Sequence, residues 1–116
     1  MKITDIAQKI NINLVQRGSM DLTEVLQVYA GDRVSDLLNH ASTTTLIVTN
    51  ILSNQLLRLA ELMDVPALCL LNGAIPDGIL LQAAKRSGTW LLSSPLGMFE
   101  TCGRLYVLLA KERSLS

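Results

Sequence analysis

Small polar residues gather at three points where apolar runs of the chain end: Thr49-Asn50, Asn72-Gly73 and Ser93-Ser94. Each pair stands just ahead of a segment with helical spacing. A ligand there would meet the free backbone N–H groups of a helix N-terminus, which favour anions. Asp32 and Ser35, following Tyr29-Ala30-Gly31, would stand on the same rim. The chemistry this implies is non-covalent capture of a small polar or phosphorylated ligand at the carboxyl ends of parallel strands. Asn, Ser and Gly are also the residues that turns and N-caps use. No Arg or Lys occupies the three strand-end pairs, which weighs toward the plainer role.

Little else in the chain is equipped for catalysis. His40 is the sole histidine, so no histidine cluster can bind a metal, and its place at the end of a short helix suits the helix dipole. Cys69 and Cys102 lack zinc-type spacing and both fall in apolar runs, which fits inert buried thiols. No Gly-Lys precedes Ser or Thr, no GxGxxG follows a strand, and no Gly-x-Ser-x-Gly elbow surrounds Ser93-Ser94. Asp32, Asp36, Glu61, Asp64, Asp77 and Glu100 all fall at expected caps or helix ends, where solvated carboxylates are ordinary. No catalytic residue, metal or cofactor is therefore assigned. A hydrolase or transferase using Asp32, Asp36 or Ser94 is the least favoured reading.

The elements that must hold the rim follow from the apolar rhythm. Thr45–Thr49, Ala67–Leu71 and Thr89–Leu92 are continuous apolar runs, the pattern of strands buried on both faces. Each is followed by a helix: from Ser53 to Asp64 with Leu56, Leu57, Ala60 and Met63 inward, and from Pro76-Asp77 to Gly88 with Ile79, Leu80, Ala83 and Ala84 inward. The last opens at Ser94-Pro95, with Leu96, Phe99, Cys102, Gly103, Tyr106, Leu109 and Ala110 on one side. Upstream, the spacing predicts a helix over 4–10, a strand over Leu14–Gln16 closed by Arg17-Gly18-Ser19, and a strand over Glu24–Ala30. Asp32 is expected to cap a helix with Val34, Leu37, Leu38 and Ala41 inward. Successive βα units build a parallel sheet. The expected fold is α/β: one domain over residues 1–116, a mixed, mostly parallel sheet with flanking helices, and a tail over 111–116 that frays.

Composition narrows the partners. The chain has 116 residues, ten basic and ten acidic, so its formal net charge is zero. With no basic run it offers nothing to a phosphate backbone, and nucleic acid is not expected as a partner. An apolar fraction of 49% excludes a disordered chain. No apolar stretch is long enough to span a bilayer, and the start Met1-Lys2-Ile3-Thr4-Asp5 is not a signal peptide. A cytoplasmic location is expected.

The segment Val28-Tyr29-Ala30-Gly31-Asp32-Arg33-Val34-Ser35-Asp36-Leu37-Leu38 resembles a stretch of the DRTGG-domain family. Val65 to Gly73, with the turn from Gly73 to Pro76, is similar to that family's following strand, and Ser93-Ser94-Pro95-Leu96 with Gly103-Arg104-Leu105-Tyr106 is similar to its closing strand and helix. The same layout recurs in the N-terminal domain of HPr kinase/phosphorylase. The motif that names the family is reduced here to Asp21, followed by Leu22-Thr23-Glu24. The resemblance implies a domain found alone or beside CBS, phosphotransacetylase or kinase modules, usually dimeric and without activity of its own. The kinase phosphate loop belongs to a separate domain not contained in these residues. The expectation is a non-catalytic regulatory or ligand-sensing module acting as a homodimer, with a partner enzyme or small-molecule effector. Tyr29, Leu96, Met98 and Trp90 are the expected interface positions. The alternative is a small-molecule binder for a nucleotide or phosphorylated metabolite.

Overall fold

The computed structural model describes residues 1–18 and 24–115. Asp21, the remnant of the family motif, lies outside the described residues, as does Ser19 of the expected turn and the side chains of Leu57 and Ala60. The elements are α1 (Ile3–Lys9), β1 (Asn13–Gln16), β2 (Gln27–Ala30), α2 (Val34–His40), β3 (Thr45–Thr49), α3 (Asn54–Met63), β4 (Ala67–Leu70), α4 (Gly78–Ser87), β5 (Trp90–Ser93) and α5 (Met98–Leu115). They form a single α/β domain. Among the described residues no helix is long and apolar enough to cross a membrane.

Among the described residues the sheet has five strands in the order β1-β5-β4-β3-β2. β2 to β5 are parallel neighbours, and β1 closes one edge antiparallel to β5 with an irregular register between Leu14 and Gln16. Each crossover therefore steps one strand in the same direction. Right-handed crossovers of one direction leave their helices on one face, which is where α2, α3 and α4 lie. The two-residue period of the strands then splits the core. Leu46, Val48, Ala67, Cys69, Trp90 and Leu92 pack with Ile3, Ile6 and Leu105 of α1 and α5. Ile47, Leu68, Leu70 and Leu91 pack with Leu37, Leu56, Leu59, Leu80 and Ala84 of α2–α4. Burial on both faces is why these strands read as unbroken apolar runs rather than as alternation.

Several local expectations need correction. Asp32 does not cap α2. The N-cap position is Arg33, without a side-chain bond, because the Asp32 carboxylate is drawn to the Asn50 N–H on the next strand end. Ser53 occupies the N-cap of α3, also without a side-chain bond, whereas Asp77 caps α4 by accepting from the Leu80 N–H at 2.8 Å. The strand expected from Glu24 starts at Gln27. Ahead of it, Lys2 and Glu24 form an isolated antiparallel bridge, and the Met1 ammonium pairs with the Glu24 carboxylate at 2.8 Å. That ammonium holds the exposed Glu24 carboxyl below its ordinary value. The last helix opens at Met98 rather than at Ser94, since the chain must first cross the end of β4.

Side-chain directions also differ. Ile79, Phe99 and Tyr106, expected inward, are 62%, 91% and 77% exposed. Trp90, expected at an exposed interface, is 1% exposed: its strand position shares a face with Leu92. Tyr29, Leu96 and Met98 are half-buried.

Candidate functional site

Four parallel strands end on one side of the sheet, and the polar pairs of the sequence are gathered there. Asn50 follows β3, and its backbone N–H donates to Asp32 Oδ1 at 3.1 Å. Asn72 follows β4, and its Nδ2 donates to Asn50 Oδ1 at 3.1 Å. Asp32, Asn50 and Asn72 therefore form a hydrogen-bonded row across the ends of β2, β3 and β4. All three are exposed. A carboxylate and two carboxamides have more bonding capacity than these contacts use, so the row presents both donors and acceptors to solvent.

Backbone strain fixes the row. Asn72 has φ 57° and Gly73 φ 67°, a left-handed pair that turns the chain at the end of β4. Asparagine tolerates this region better than most residues. The loop from Ser94 to Gly97 locks the pair from the other side. The Asn72 N–H donates to the Leu96 carbonyl at 2.9 Å and the Gly73 N–H to the Ser94 carbonyl at 2.8 Å. A Cβ added at Gly97 would stand 3.5 Å from Asn72 Oδ1, so the loop backbone also lies alongside the carboxamide.

The remaining candidates divide by burial. Ser35, in the first turn of α2, and Gly73 are exposed at the same end. Thr49 is buried, and its hydroxyl accepts from the Ile51 N–H at 3.2 Å. Ser93 is buried and donates to the Ala74 carbonyl at 2.9 Å. Ser94 is fully buried, shares a 2.7 Å bond with the Thr101 hydroxyl and accepts from the Leu96 N–H. These three hydroxyls hold the rim together, whereas Asp32, Asn50 and Asn72 face outward. Arg33, which an N-cap at Asp32 would place inside the helix, is instead the N-cap position of α2. It is exposed and lies next to Asp32 in the loop after β2. The signal for it was its adjacency to Asp32. Nearby, the Tyr29 and His40 rings stack with centroids 4.0 Å apart, a contact between β2 and the last turn of α2 that periodicity does not reveal.

The thiols sit away from this row and are poorly nucleophilic. Burial, reinforced by the neighbouring Cys102, pushes Cys69 up from the ordinary 9.0 to about 12, and burial also raises Cys102. Thiolate is the reactive form. Labelling with an aromatic disulfide reagent near neutral pH is expected to leave Cys69 untouched in the native protein and to reach it only after unfolding. Because the folded thiol holds its proton more tightly than the unfolded one, its contribution to stability is complete below about pH 9. It is lost as the pH rises toward 12. Denaturant midpoints measured at increasing alkaline pH, with Cys69→Ser as control, check this: the wild-type midpoint should fall more steeply across that window.

No protein-family model matches the chain, and no curated protein matches it. Among solved structures, it is similar to the crystal structure of the CBS and DRTGG domains of the regulatory region of Clostridium perfringens pyrophosphatase, complexed with its activator, diadenosine tetraphosphate. The TM-score is 0.73 at 14% identity, over 87% of this chain. This chain spans 44% of the length of that one. At that identity the likeness shows the fold: an α/β arrangement shared with part of an enzyme's regulatory region.

Proposed function

We propose that this chain is a DRTGG-like regulatory module over residues 1–116 that senses a small-molecule effector and works as a homodimer beside a metabolic or signalling enzyme. The observation that carries the reading is the row of Asp32, Asn50 and Asn72, held by two 3.1 Å hydrogen bonds and open to solvent. Carboxamides recognise a purine edge by paired donor and acceptor contacts, and a carboxylate beside a parallel strand end suits ribose hydroxyls. Arg33, Ser35 and Gly73 add a cation, a hydroxyl and accessible backbone at the same end. A nucleotide or phosphorylated metabolite fits that set. Likeness to a regulatory region bound to diadenosine tetraphosphate supports the same class. The buried hydroxyls of Thr49, Ser93 and Ser94 serve as the frame.

Thermal denaturation in the presence of nucleotides, dinucleoside polyphosphates and phosphorylated metabolites tests the ligand class. A compound at about a hundredfold excess over its Kd should add about 2.7 kcal/mol of stability, a rise in Tm on the order of 10 °C for a domain of this size. Asn72→Gly removes the carboxamide while accepting the left-handed backbone, so it should keep its fold and, with affinity reduced at least about tenfold, lose about half of the shift or more. An unchanged Tm with every compound would remove the ligand-sensing reading.

A further inference from the structure

The exposed face of α5 is built to receive its own copy, and we propose that two chains pair antiparallel through Phe99, Gly103, Tyr106 and Ala110. This rests on the homodimer reading above and names its surface. The four residues follow one another by four, three and four positions and so lie on one stripe of the helix. The opposite stripe, Thr101 and Leu105, is buried against the domain. Phe99 and Tyr106 are large and stand in solvent. Gly103 and Ala110 are small and leave gaps. A Cβ at Gly103 would meet nothing within 4 Å, and Ala110 lies beside Tyr106 on the wall of a groove of about 680 Å³ that also reaches Val28 and Ala30.

The large and small positions are complementary only across a two-fold axis. Along two antiparallel helices, facing residues have a constant sum of numbers. Phe99 with Ala110 and Tyr106 with Gly103 share the sum 209, so one register seats both large side chains in both gaps. Two-fold pairing of this kind makes each contact twice and closes the assembly. The axis falls between Arg104 and Leu105.

Charge supports the same register. Glu100 and Lys111 are exposed on one flank of the stripe. Within a chain they stand eleven residues apart, about 16 Å along the helix, too far to pair. Across the axis their sum differs from the register by two residues, about 3 Å, so each Glu100 faces the partner's Lys111. Arg104, which lies beside the axis, is turned toward α1 instead, where its Nη1 donates to the Ile10 carbonyl at 3.4 Å. A single helix pair lies at the small end of stable interfaces, so the dimer should have a Kd on the order of micromolar.

Sedimentation velocity on the full chain across the micromolar range tests this. The wild type should show a reversible monomer–dimer equilibrium. Phe99→Asp should weaken it at least about thirtyfold, as loss of a large aromatic anchor does. Gly103→Gln should fill the gap and weaken the dimer comparably while leaving Tm unchanged or raised, because glutamine is the better helix former. Glu100→Lys and Lys111→Glu should each weaken the dimer about three- to tenfold, and the double reversal should restore it. A wild-type dimer indifferent to Phe99→Asp, Gly103→Gln and the charge reversals overturns the seam and leaves the homodimer reading standing. A strictly monomeric wild type overturns both, and leaves the face to a different partner. None of these outcomes bears on effector binding at the rim.

Discussion

Replacing Leu68 by alanine is expected to destabilise the fold by about 4 kcal/mol. Leu68 lies on β4, the middle strand of the sheet, and is completely buried. In register it sits between Ile47 of β3 and Leu91 of β5, and all three side chains point into the layer of α2, α3 and α4. Truncation would open a void under that row. The flanking strands cannot close it, since their backbones are pinned by ladders on both sides of β4. The result should lie in the upper half of the range for leucine truncations. That is a third or more of the stability of many domains of this size. In urea, the midpoint should fall while the slope stays constant. Ile79→Ala, on the exposed side of α4, should change stability by no more than about 0.5 kcal/mol. Equal effects at the two positions would mean that the layered core is wrongly assigned.

Adding one methyl group to the chain should be nearly as damaging. Gly18→Ala is expected to cost about 3 kcal/mol, at the upper end for overpacking. A Cβ at Gly18 would collide with Cδ1 and Nε1 of the Trp90 indole and would lie 2.6 Å from the Gly88 carbonyl oxygen. Neither neighbour has room to retreat. Trp90 is packed into the α1–α5 layer of the core. Gly88 forms the left-handed C-cap of α4 at φ 72°, with its N–H bonded back to the Ala84 and Lys85 carbonyls. The Arg17 guanidinium lies over the indole face at 5.2 Å, which covers it further. Trp90 is the single tryptophan, so its fluorescence reports on this corner directly. The variant should unfold at lower urea and show altered emission while still folded. Wild-type stability with unchanged emission would contradict the close approach of residue 18 to β5.

What the sequence made legible and what it concealed follow a physical division. β3, β4 and β5 were readable because two-sided burial leaves unbroken apolar runs, and α4 was readable because Asp77 and Gly88 are local start and stop signals. The rim's composition was readable for the same reason: strands buried on both faces must end where polar residues begin. Contacts between distant segments were not readable. Asp32 looked like a helix cap because its partner, the Asn50 N–H, lies eighteen residues away. Ser93 and Ser94 looked like rim ligands because sequence spacing cannot say that both are buried, with the Ala74 carbonyl and the Thr101 hydroxyl of α5 taking up their side chains. Phe99 and Tyr106 looked like core residues because periodicity finds an apolar stripe without saying whether anything covers it. On α5 the covered stripe centres on Leu105, and the second apolar stripe is left in solvent. That second stripe is the feature from which the self-pairing surface is inferred.

The row of Asp32, Asn50 and Asn72 is proposed to receive a nucleotide-class effector. The most direct measurement is a calorimetric titration of the wild type and of Asn72→Gly with diadenosine tetraphosphate, the activator bound in the similar regulatory region. The expected result is saturable binding by the wild type and affinity reduced at least about tenfold in Asn72→Gly, the loss of one good hydrogen-bonding contact. Binding of equal strength in the two proteins would place the effector elsewhere, and no binding by the wild type at millimolar ligand would contradict the claim for this ligand class.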